Sequence, residues 1–134
     1  MKIDNVSAST RTYELLKKSL NVSSKRKDVI ANNIANINTK GYKRHYVTFE
    51  ENLKEVNKGL ELKSTNNKHI TDTDKVGEMK IETDKTDSMR MDGNNVDIEN
   101  ETANLAANYL KYNALISEVN ARMSMKKTII TGGR

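Results

Sequence analysis

The feature that most constrains the fold is a pair of seven-residue repeats, one at each end of a chain without proline. Apolar side chains recur at alternating steps of three and four residues, the spacing of helices that pack along a narrow seam. Seven of ten such positions are apolar in the N-terminal repeat and eight of ten in the C-terminal repeat. Without proline, neither run contains a strong helix breaker. The sequence therefore predicts two long terminal helices, each of about thirty residues or roughly 45 Å.

The predicted seam residues are twelve of the apolar members of these repeats. On the N-terminal helix they are Tyr13, Leu16, Leu20, Ile30, Ile34 and Ile37, and on the C-terminal helix Leu105, Tyr109, Tyr112, Ile116, Val119 and Met123. Polar residues such as Ser23, Lys27, Thr102 and Lys126 interrupt both seams. Because narrow, interrupted seams bury little apolar surface, we expect the helices to order fully only when neighbouring subunits add contacts.

The middle of the chain has a different composition. Residues 54–95 consist largely of Lys, Thr, Asn, Asp and Glu, and "MKIET" and "SMRMD" are short alternations that suggest edge-like strands. The predicted fold class is mainly α: two long N- and C-terminal helices pair as a coiled-coil-like hairpin, with a small irregular or β-containing middle. The predicted segments are an N-terminal helix with a turn and an extended piece (1–53), the polar middle (54–95) and the C-terminal helix (96–134).

The composition argues against several classes of protein. The chain has no cysteine, so it forms neither disulfides nor thiolate metal sites. It has no run of about eighteen apolar residues and no apolar stretch near Met1, so we expect neither a transmembrane segment nor a cleaved secretory signal. The two histidines, His45 and His69, lie far apart, and no zinc, phosphate-loop or nucleophile pattern is present. We expect a non-enzyme with no metal and no cofactor.

The net charge of +5 leaves one alternative function open. Residues 1–53 carry ten Lys and Arg against five Asp and Glu, with a basic triplet at Lys25–Lys27. A basic helical protein of this kind is compatible with nucleic-acid binding. The excess charge is small, however, no aromatic stacking surface is visible, and the acidic groups of the middle segment would repel phosphate. A solvated charged face is the simpler interpretation of the triplet.

The stretch "IANNIANINTKGYKR" is unusually rich in asparagine. Asn38 and Gly41 tolerate left-handed backbone geometry, and Gly41 is the natural end of the N-terminal helix. The following "YKRHYVTF" alternates like a strand. A helix end followed by a strand leaves three carboxamides unexplained: Asn32, Asn33 and Asn36.

This stretch resembles the N-terminal signature of the bacterial flagellar rod and hook proteins, an axial family with a pattern close to N-N-I-A-N-x-x-T-P-G-Y. The matching residues are Asn32, Asn33, Ile34, Ala35, Asn36, Thr39, Gly41 and Tyr42. Lys40 replaces the usual proline, which removes a fixed φ from the turn. Residues 62–70 and 92–130 resemble the middle and C-terminal motifs of proximal-rod members. In the C-terminal motif the matches are Gly93, Asn95, Val96, Asp97, Glu101, Leu105, Tyr112, Leu115 and Met125.

The resemblance implies a structural subunit of the proximal rod of the flagellar basal body. Its terminal helices would assemble into the drive-shaft tube as a homo- and hetero-oligomer on the periplasmic side. The implied partners are other flagellar rod proteins, the adaptor between the rod and the export gate and MS ring, and the type III export apparatus. Nucleic acid is not among them. A nucleic-acid binder, or a secreted adaptor that uses axial-type helices, remains the alternative.

Two expectations about particular residues follow from the resemblance. In a helically packed tube, we expect the carboxamides of Asn32, Asn33 and Asn36 to satisfy backbone groups of neighbouring subunits. In "FEENL", Phe49 and Leu53 have the spacing of a short apolar element used by flagellar export substrates. The alternative is that these two residues anchor a helical turn onto the terminal helices.

Overall fold

A computed structural model describes residues 8–49, 78–88 and 90–132. The elements follow the order α1 (Ala8–Ala35), β1 (His45–Thr48), β2 (Lys80–Thr83) and α2 (Ile98–Ile130). The two helices lie side by side, and β1 packs on α1 and pairs with β2. This arrangement confirms the predicted mainly helical hairpin with a small β-containing middle.

The helices run antiparallel, as side-chain contacts at successive heights show. From the end where α1 stops towards the chain termini, these contacts are Asn33–Glu101, Ser23–Asn108 and Tyr13–Lys126. Within the described ranges, neither helix contains a window apolar enough to cross a lipid bilayer.

The strands form a two-stranded antiparallel sheet. His45 lies opposite Thr83, and Thr48 lies opposite Lys80. The strand predicted from "MKIET" is therefore present. The second alternation, "SMRMD", is not a strand, because its described residues from Arg90 form a bend and a turn. The turn is closed by a hydrogen bond from the Gly93 N–H to the Arg90 carbonyl, 3.0 Å long.

The apolar core of the described residues is small and lies between α1 and β1. Its central cluster comprises Val22, Val29, Val47 and Phe49. Val22 and Val29 are one heptad apart, but they belong to a face of α1 outside the predicted seam. They are buried because β1 covers that face, and a helical repeat carries no information about a strand that packs on it.

The helix pairing buries only part of the predicted seams. Ile30 is buried, and eight members are half-buried: Tyr13, Leu16, Leu20, Ile34, Ile37, Leu105, Ile116 and Val119. Tyr109, Tyr112 and Met123 remain exposed, Tyr109 by 59%. The buried residues of α2 are instead the polar Glu101 and Asn108, which apolar periodicity does not detect.

The turn that follows α1 ends at a glycine. Gly41 has a φ of +73°, as expected from its position. In the described ranges every residue with a positive φ is a glycine, so Asn38 does not adopt left-handed geometry.

At the start of the other helix, Asp97 caps α2, because its side chain accepts the N–H of Glu99. Caps of this kind satisfy N–H groups that the first helical turn leaves open.

The substitution Gly41→Ala is expected to lower the free energy of unfolding by about 1 kcal/mol, because a β-carbon disfavours a positive φ. No atom lies within 4 Å of the position of the added Cβ, so the cost comes from the backbone alone. Urea unfolding followed by helical circular dichroism measures the loss. Lys40→Ala, at the preceding exposed residue, is the control and should change little. Equal losses for the two variants would contradict the backbone argument.

Candidate functional site

A hydrogen-bonded cluster joins the two ends of the chain where α1 stops and α2 begins. We call it the polar junction, and its members are Asn33, Tyr42, Arg44, Asn94, Asn95 and Glu101. Three of them, Asn33, Asn94 and Glu101, have no exposed surface at all. Buried polar groups are costly unless they are hydrogen-bonded, so their partners determine what the junction does.

Asn33 uses its carboxamide fully inside the subunit. Its Nδ2 donates to the His45 carbonyl at 2.7 Å and to Glu101 Oε2 at 2.9 Å. Its Oδ1 accepts the His45 N–H at 3.0 Å and the Tyr42 hydroxyl at 3.2 Å. One side chain thus ties α1 to the first residue of β1 and to α2, and its two donors and two lone pairs are all occupied.

Glu101 supplies the buried charge of the junction. Its Oε1 accepts a hydrogen bond of 2.6 Å from Arg44 Nε, while its Oε2 is held by Asn33. Arg44 is itself positioned, because its backbone N–H donates to Asn95 Oδ1 at 2.7 Å and its guanidinium lies 3.8 Å from Asp84. A buried carboxylate is tolerated when charged and polar donors meet both oxygens, and Glu101 meets that condition.

Asn94 caps the end of α1 from a distant part of the sequence. Its Nδ2 lies 3.0, 2.9 and 3.0 Å from the carbonyl oxygens of Asn36, Ile37 and Thr39. These carbonyls belong to the turn after α1, where backbone acceptors lack intrahelical partners. The Oδ1 of Asn94 accepts the Val96 N–H at 2.8 Å. The chain that leads into α2 therefore closes the end of α1.

Two glycine turns pack against each other beside this cap. The Gly41 N–H donates to the Asp92 carbonyl at 2.8 Å. Gly93 also has a positive φ, +77°, and a Cβ built on it would lie 3.8 Å from the Gly41 Cα. Arg90 adds a hydrogen bond of 3.2 Å from its guanidinium to the Ile37 carbonyl. The two turns are thus joined by backbone as well as by side chains.

A second buried polar pair lies between the helices, further along from the junction. Ser23 Oγ donates to Asn108 Oδ1 at 2.8 Å, and Asn108 Nδ2 donates back to the Ser23 carbonyl at 2.9 Å. A slip of one helix along the other would leave both buried groups without partners. The pair therefore specifies the register of α1 against α2, as buried polar residues do in coiled coils.

Electrostatics in the junction favours the protonation states that these bonds require. The pKa of Tyr42 is raised, first by burial and then by the negative charge of Glu101, so its hydroxyl stays a donor to Asn33. The pKa of Asp84 is lowered, mainly by hydrogen bonds from the Thr86 backbone and hydroxyl, with Arg44 and Lys43 contributing less. Asp84 remains ionised next to Arg44 and adds a second negative charge beside the guanidinium.

All four hydrogen bonds of Asn33 lie within the chain, and its contact with a neighbouring subunit stays a prediction. Asn36 also bonds locally: its Nδ2 donates to the Asn32 carbonyl at 2.8 Å, and its Oδ1 accepts the Thr39 hydroxyl at 3.2 Å. Asn32 is exposed. Two partners of Asn33, His45 and Glu101, are 12 and 68 residues away, and nothing in the asparagine stretch alone identifies them.

The other predicted site residues fall into three groups. Tyr42 belongs to the junction, Gly41 and Thr39 form the turn beside it, and Ile34 and Ala35 lie in the last turn of α1. The predicted export element is divided, because Phe49 is buried in the core and Leu53 lies outside the described residues.

Four residues of the site were not singled out from the sequence: Ser23, Arg44, Asn94 and Asn108. Ser23 was counted as an interruption of the seam, although it is 1% exposed. The sequence feature that points to buried polar residues is the spacing of Glu101 and Asn108 on α2. They are seven residues apart, so a polar repeat takes the place of an apolar one. Such a repeat predicts buried hydrogen bonds only once the residues opposite it are known.

The arrangement is that of a structural clamp. Within the described ranges, every buried side-chain nitrogen or oxygen has a hydrogen-bond partner. Over the same residues, no group of three or more His, Asp or Glu side chains could hold a metal ion. The polar atoms at the centre of the junction are all engaged by other residues of the chain, so what the junction does is hold α1, β1 and α2 together.

Comparisons with known proteins point to one family. A family model described as "Flagella basal body rod protein" matches residues 19–43. The chain is 34% identical over 123 residues to the flagellar basal body rod protein FlgB of Bacillus subtilis, covering 92% of this chain and 95% of the relative. The chain belongs to the flagellar basal body rod protein family. FlgB of Borrelia hermsii is 36% identical over 110 residues, covering 75% of this chain and 82% of the relative, and FlgB of Salmonella typhimurium is 27% identical, covering 98% and 99%.

Membership of this family confirms the main prediction from the sequence, a structural protein of the flagellar basal body rod. The comparisons support neither the nucleic-acid binder nor the secreted adaptor. The family-model match ends at residue 43 and so contains Asn33, Gly41 and Tyr42 but not Glu101. The motif of the flagellar rod family thus supplies Asn33 and Tyr42 to the polar junction, and the later parts of the chain supply Arg44, Asn94, Asn95 and Glu101.

Proposed function

We propose that the chain is a subunit of the proximal rod. The polar junction holds this subunit as a hairpin, and exposed apolar side chains of α2 contact the neighbouring subunits in the rod. The observation that carries the proposal is the contrast between the buried and the exposed residues of α2. Its polar residues Glu101 and Asn108 are buried against the rest of the subunit, whereas large apolar residues remain exposed. The exposed apolar residues of α2 include Tyr109, Leu110, Tyr112, Met123, Met125, Ile129 and Ile130.

This contrast assigns different tasks to neighbouring positions of α2. Tyr109 follows Asn108 directly, so its side chain lies about 100° further around the helix axis. Asn108 fixes the register with α1, while Tyr109 borders the exposed side. Large exposed apolar surfaces are characteristic of protein interfaces. The α2 surface that starts at Tyr109 therefore suits contact with neighbouring subunits.

We also propose partners, a location and an export route for the chain. The partners are further copies of this chain and other flagellar rod proteins in a helical tube, on the periplasmic side, together with the adaptor to the export gate and MS ring. The chain reaches that position through the type III export apparatus without a cleaved signal. Phe49 is 3% exposed in the folded subunit, so an export role for Phe49 and Leu53 requires that the apparatus contact the unfolded chain.

Tyr109→Glu is expected to block incorporation into the rod while leaving the isolated subunit folded. A charge at a position that neighbouring subunits cover costs several kcal/mol in the assembly. Because a tenfold loss of incorporation corresponds to only about 1.4 kcal/mol, such a charge is sufficient to cause it. The measurement is the amount of tagged protein that co-purifies with hook-basal bodies, beside the urea midpoint of the isolated chain. We expect at least a tenfold loss of the first and no change in the second.

Two matched variants make this test specific. Tyr109→Leu keeps an apolar side chain at the same position and should retain incorporation. Lys85→Glu introduces the same charge on the exposed loop after β2 and should also retain it. If Tyr109→Glu is incorporated as well as the wild type, the exposed surface of α2 is not an assembly surface.

A further inference from the structure

The two strands of the sheet have outer edges of different kinds. Along an antiparallel pair, residues alternate between bonding to the partner strand and turning their N–H and C=O groups outward. His45 and Val47 face outward on β1, and α1 satisfies them. Asn33 bonds both backbone groups of His45, and Arg26 donates to the Val47 carbonyl at 3.3 Å. The outer edge of β1 is therefore closed within the subunit.

The outer edge of β2 is open. Ile81 and Thr83 lie opposite the outward-facing residues of β1, so their own N–H and C=O groups point away from β1. In the described part of the chain the sheet has no third strand, and every residue of β2 is exposed. An unpaired strand edge is a template for a further strand. The sheet can therefore gain a strand at β2.

The side chains of β2 are complementary to a second copy of themselves. Ile81 is 50% exposed, and Met79, two residues earlier on the same face, is 40% exposed. Lys80 and Glu82 lie on the other face, and within the described ranges neither takes part in an ion pair. Glu82 accepts a hydrogen bond of 3.1 Å from the Tyr46 hydroxyl, which is neutral. The strand thus has one apolar face and one face with a charge of each sign.

We propose that the β2 edges of two copies pair as antiparallel strands in solution, with Ile81 opposite Ile81 of the second copy on a two-fold axis. In this register, Lys80 of each copy lies opposite Glu82 of the other, so two ion pairs cross the contact. A shift of two residues in either direction would place Lys80 opposite Lys80 or Glu82 opposite Glu82, and like charges directly opposite are unfavourable. Charge therefore selects both the occupant and the register.

The end of the strand limits the paired segment. Beyond Thr83, the same register would bring Asp84 of one copy opposite Glu78 of the other. Asp84 lies outside β2, and its carboxylate faces the Arg44 guanidinium of its own chain at 3.8 Å. The contact is therefore short, and short contacts are weak. We expect a reversible dimer that forms as the concentration of the chain rises.

This contact goes beyond the proposed function. In a helical tube all copies point the same way along the axis, whereas a two-fold contact between neighbours reverses one of them. The dimer therefore belongs to the folded chain outside the rod. Pairing covers a strand edge that otherwise can recruit further chains into aggregates.

Charge reversal tests the pairing, with sedimentation velocity of the full-length chain over a concentration series as the measurement. The average mass should rise from that of one chain towards that of two. Lys80→Glu and Glu82→Lys, each alone, are expected to weaken dimerisation at least tenfold, and the double variant Lys80→Glu/Glu82→Lys should restore most of it. Lys85→Glu, on the exposed loop after β2, should have no effect. A wild-type chain that is monomeric at every concentration, or a double variant as weak as the single ones, would overturn the proposal.

Single cysteines test the register, because the natural chain contains no cysteine. Position 81 faces itself across the axis at a Cα separation of about 5.5 Å, which a disulfide can bridge. Positions 80 and 82 each lie about 7 to 8 Å from their own counterparts, which is too far. Ile81→Cys should therefore oxidise to a covalent dimer at least ten times faster than Lys80→Cys or Glu82→Cys. Equal rates, or a faster reaction at position 80 or 82, would overturn the proposed pairing.

The proposed function is tested separately by recovery of the wild-type chain in hook-basal bodies. The solution dimer can therefore fail while the rod assignment stands.

Discussion

Replacing Asn33 by alanine is expected to remove most of the stability of the isolated subunit, a loss of about 3 kcal/mol or more. The change leaves one oxygen of the buried Glu101 carboxylate, both backbone groups of His45 and the Tyr42 hydroxyl without their partner. Each unsatisfied buried group costs about 1 to 3 kcal/mol, and charged groups cost more. Urea unfolding followed by helical circular dichroism measures the loss, with sucrose added to both proteins if the variant does not fold without it.

The neighbouring asparagine provides the matched control. Asn32 is exposed on the same helix, so Asn32→Ala should change the free energy of unfolding by less than about 0.5 kcal/mol, and alanine's helix propensity favours a small gain. Similar effects of the two substitutions would show that Asn33 is not the central partner of the junction. An Asn33→Ala subunit that is fully stable alone but absent from the rod would support the predicted contact between subunits instead.

Glu101→Gln is expected to have the second largest effect, a loss of about 2 to 3 kcal/mol. Glutamine has nearly the same shape, so the change tests charge and hydrogen-bond direction rather than volume. It removes the charge that faces Arg44 Nε. It also replaces one carboxylate oxygen by an NH₂ group, which cannot accept from Asn33 Nδ2 or from Arg44 Nε. The same urea experiment reports the loss.

Glu99→Gln is the control for the loss of one negative charge in the first turn of α2. Glu99 is exposed, so only its interaction with the helix dipole is affected, and the change should cost less than about 1 kcal/mol. The double variant Glu101→Gln/Arg44→Ala adds a further check. Because Arg44 and Glu101 share one interaction, the two losses should be clearly non-additive. Additive losses would contradict a direct coupling inside the junction.

Apolar periodicity was sufficient to predict the two helices and their pairing as a hairpin. It was not sufficient to predict which faces meet, for two physical reasons. The face of α1 that carries Val22 and Val29 is covered by β1. The apolar repeat of a helix does not indicate that a strand packs on it. The face of α2 that meets α1 is marked by Glu101 and Asn108, which are buried because they are hydrogen-bonded and not because they are apolar.

The end of α1 shows the same limit of prediction from the sequence. A positive φ at Gly41 follows from local backbone sterics, which a single glycine after a helix reveals. The cap on the open carbonyls comes from Asn94, more than fifty residues further along the chain. Hydrogen bonds between distant carboxamides and backbone groups have no period and no fixed spacing. The sequence therefore predicts where α1 stops, but the fold is needed to show what closes its end.

Hydrogen exchange in the isolated full-length chain at low concentration tests the central claim most directly. Three amides report the junction because they donate across it: Gly41 to Asp92, Arg44 to Asn95 and His45 to Asn33. If the junction forms within each subunit and the exposed surface of α2 is covered only in the rod, these amides are protected in the isolated chain. They should then exchange more slowly than the α2 amides near Met123, which gain protection on assembly. Unprotected junction amides in the isolated chain, with protection appearing only in the rod, would contradict the account.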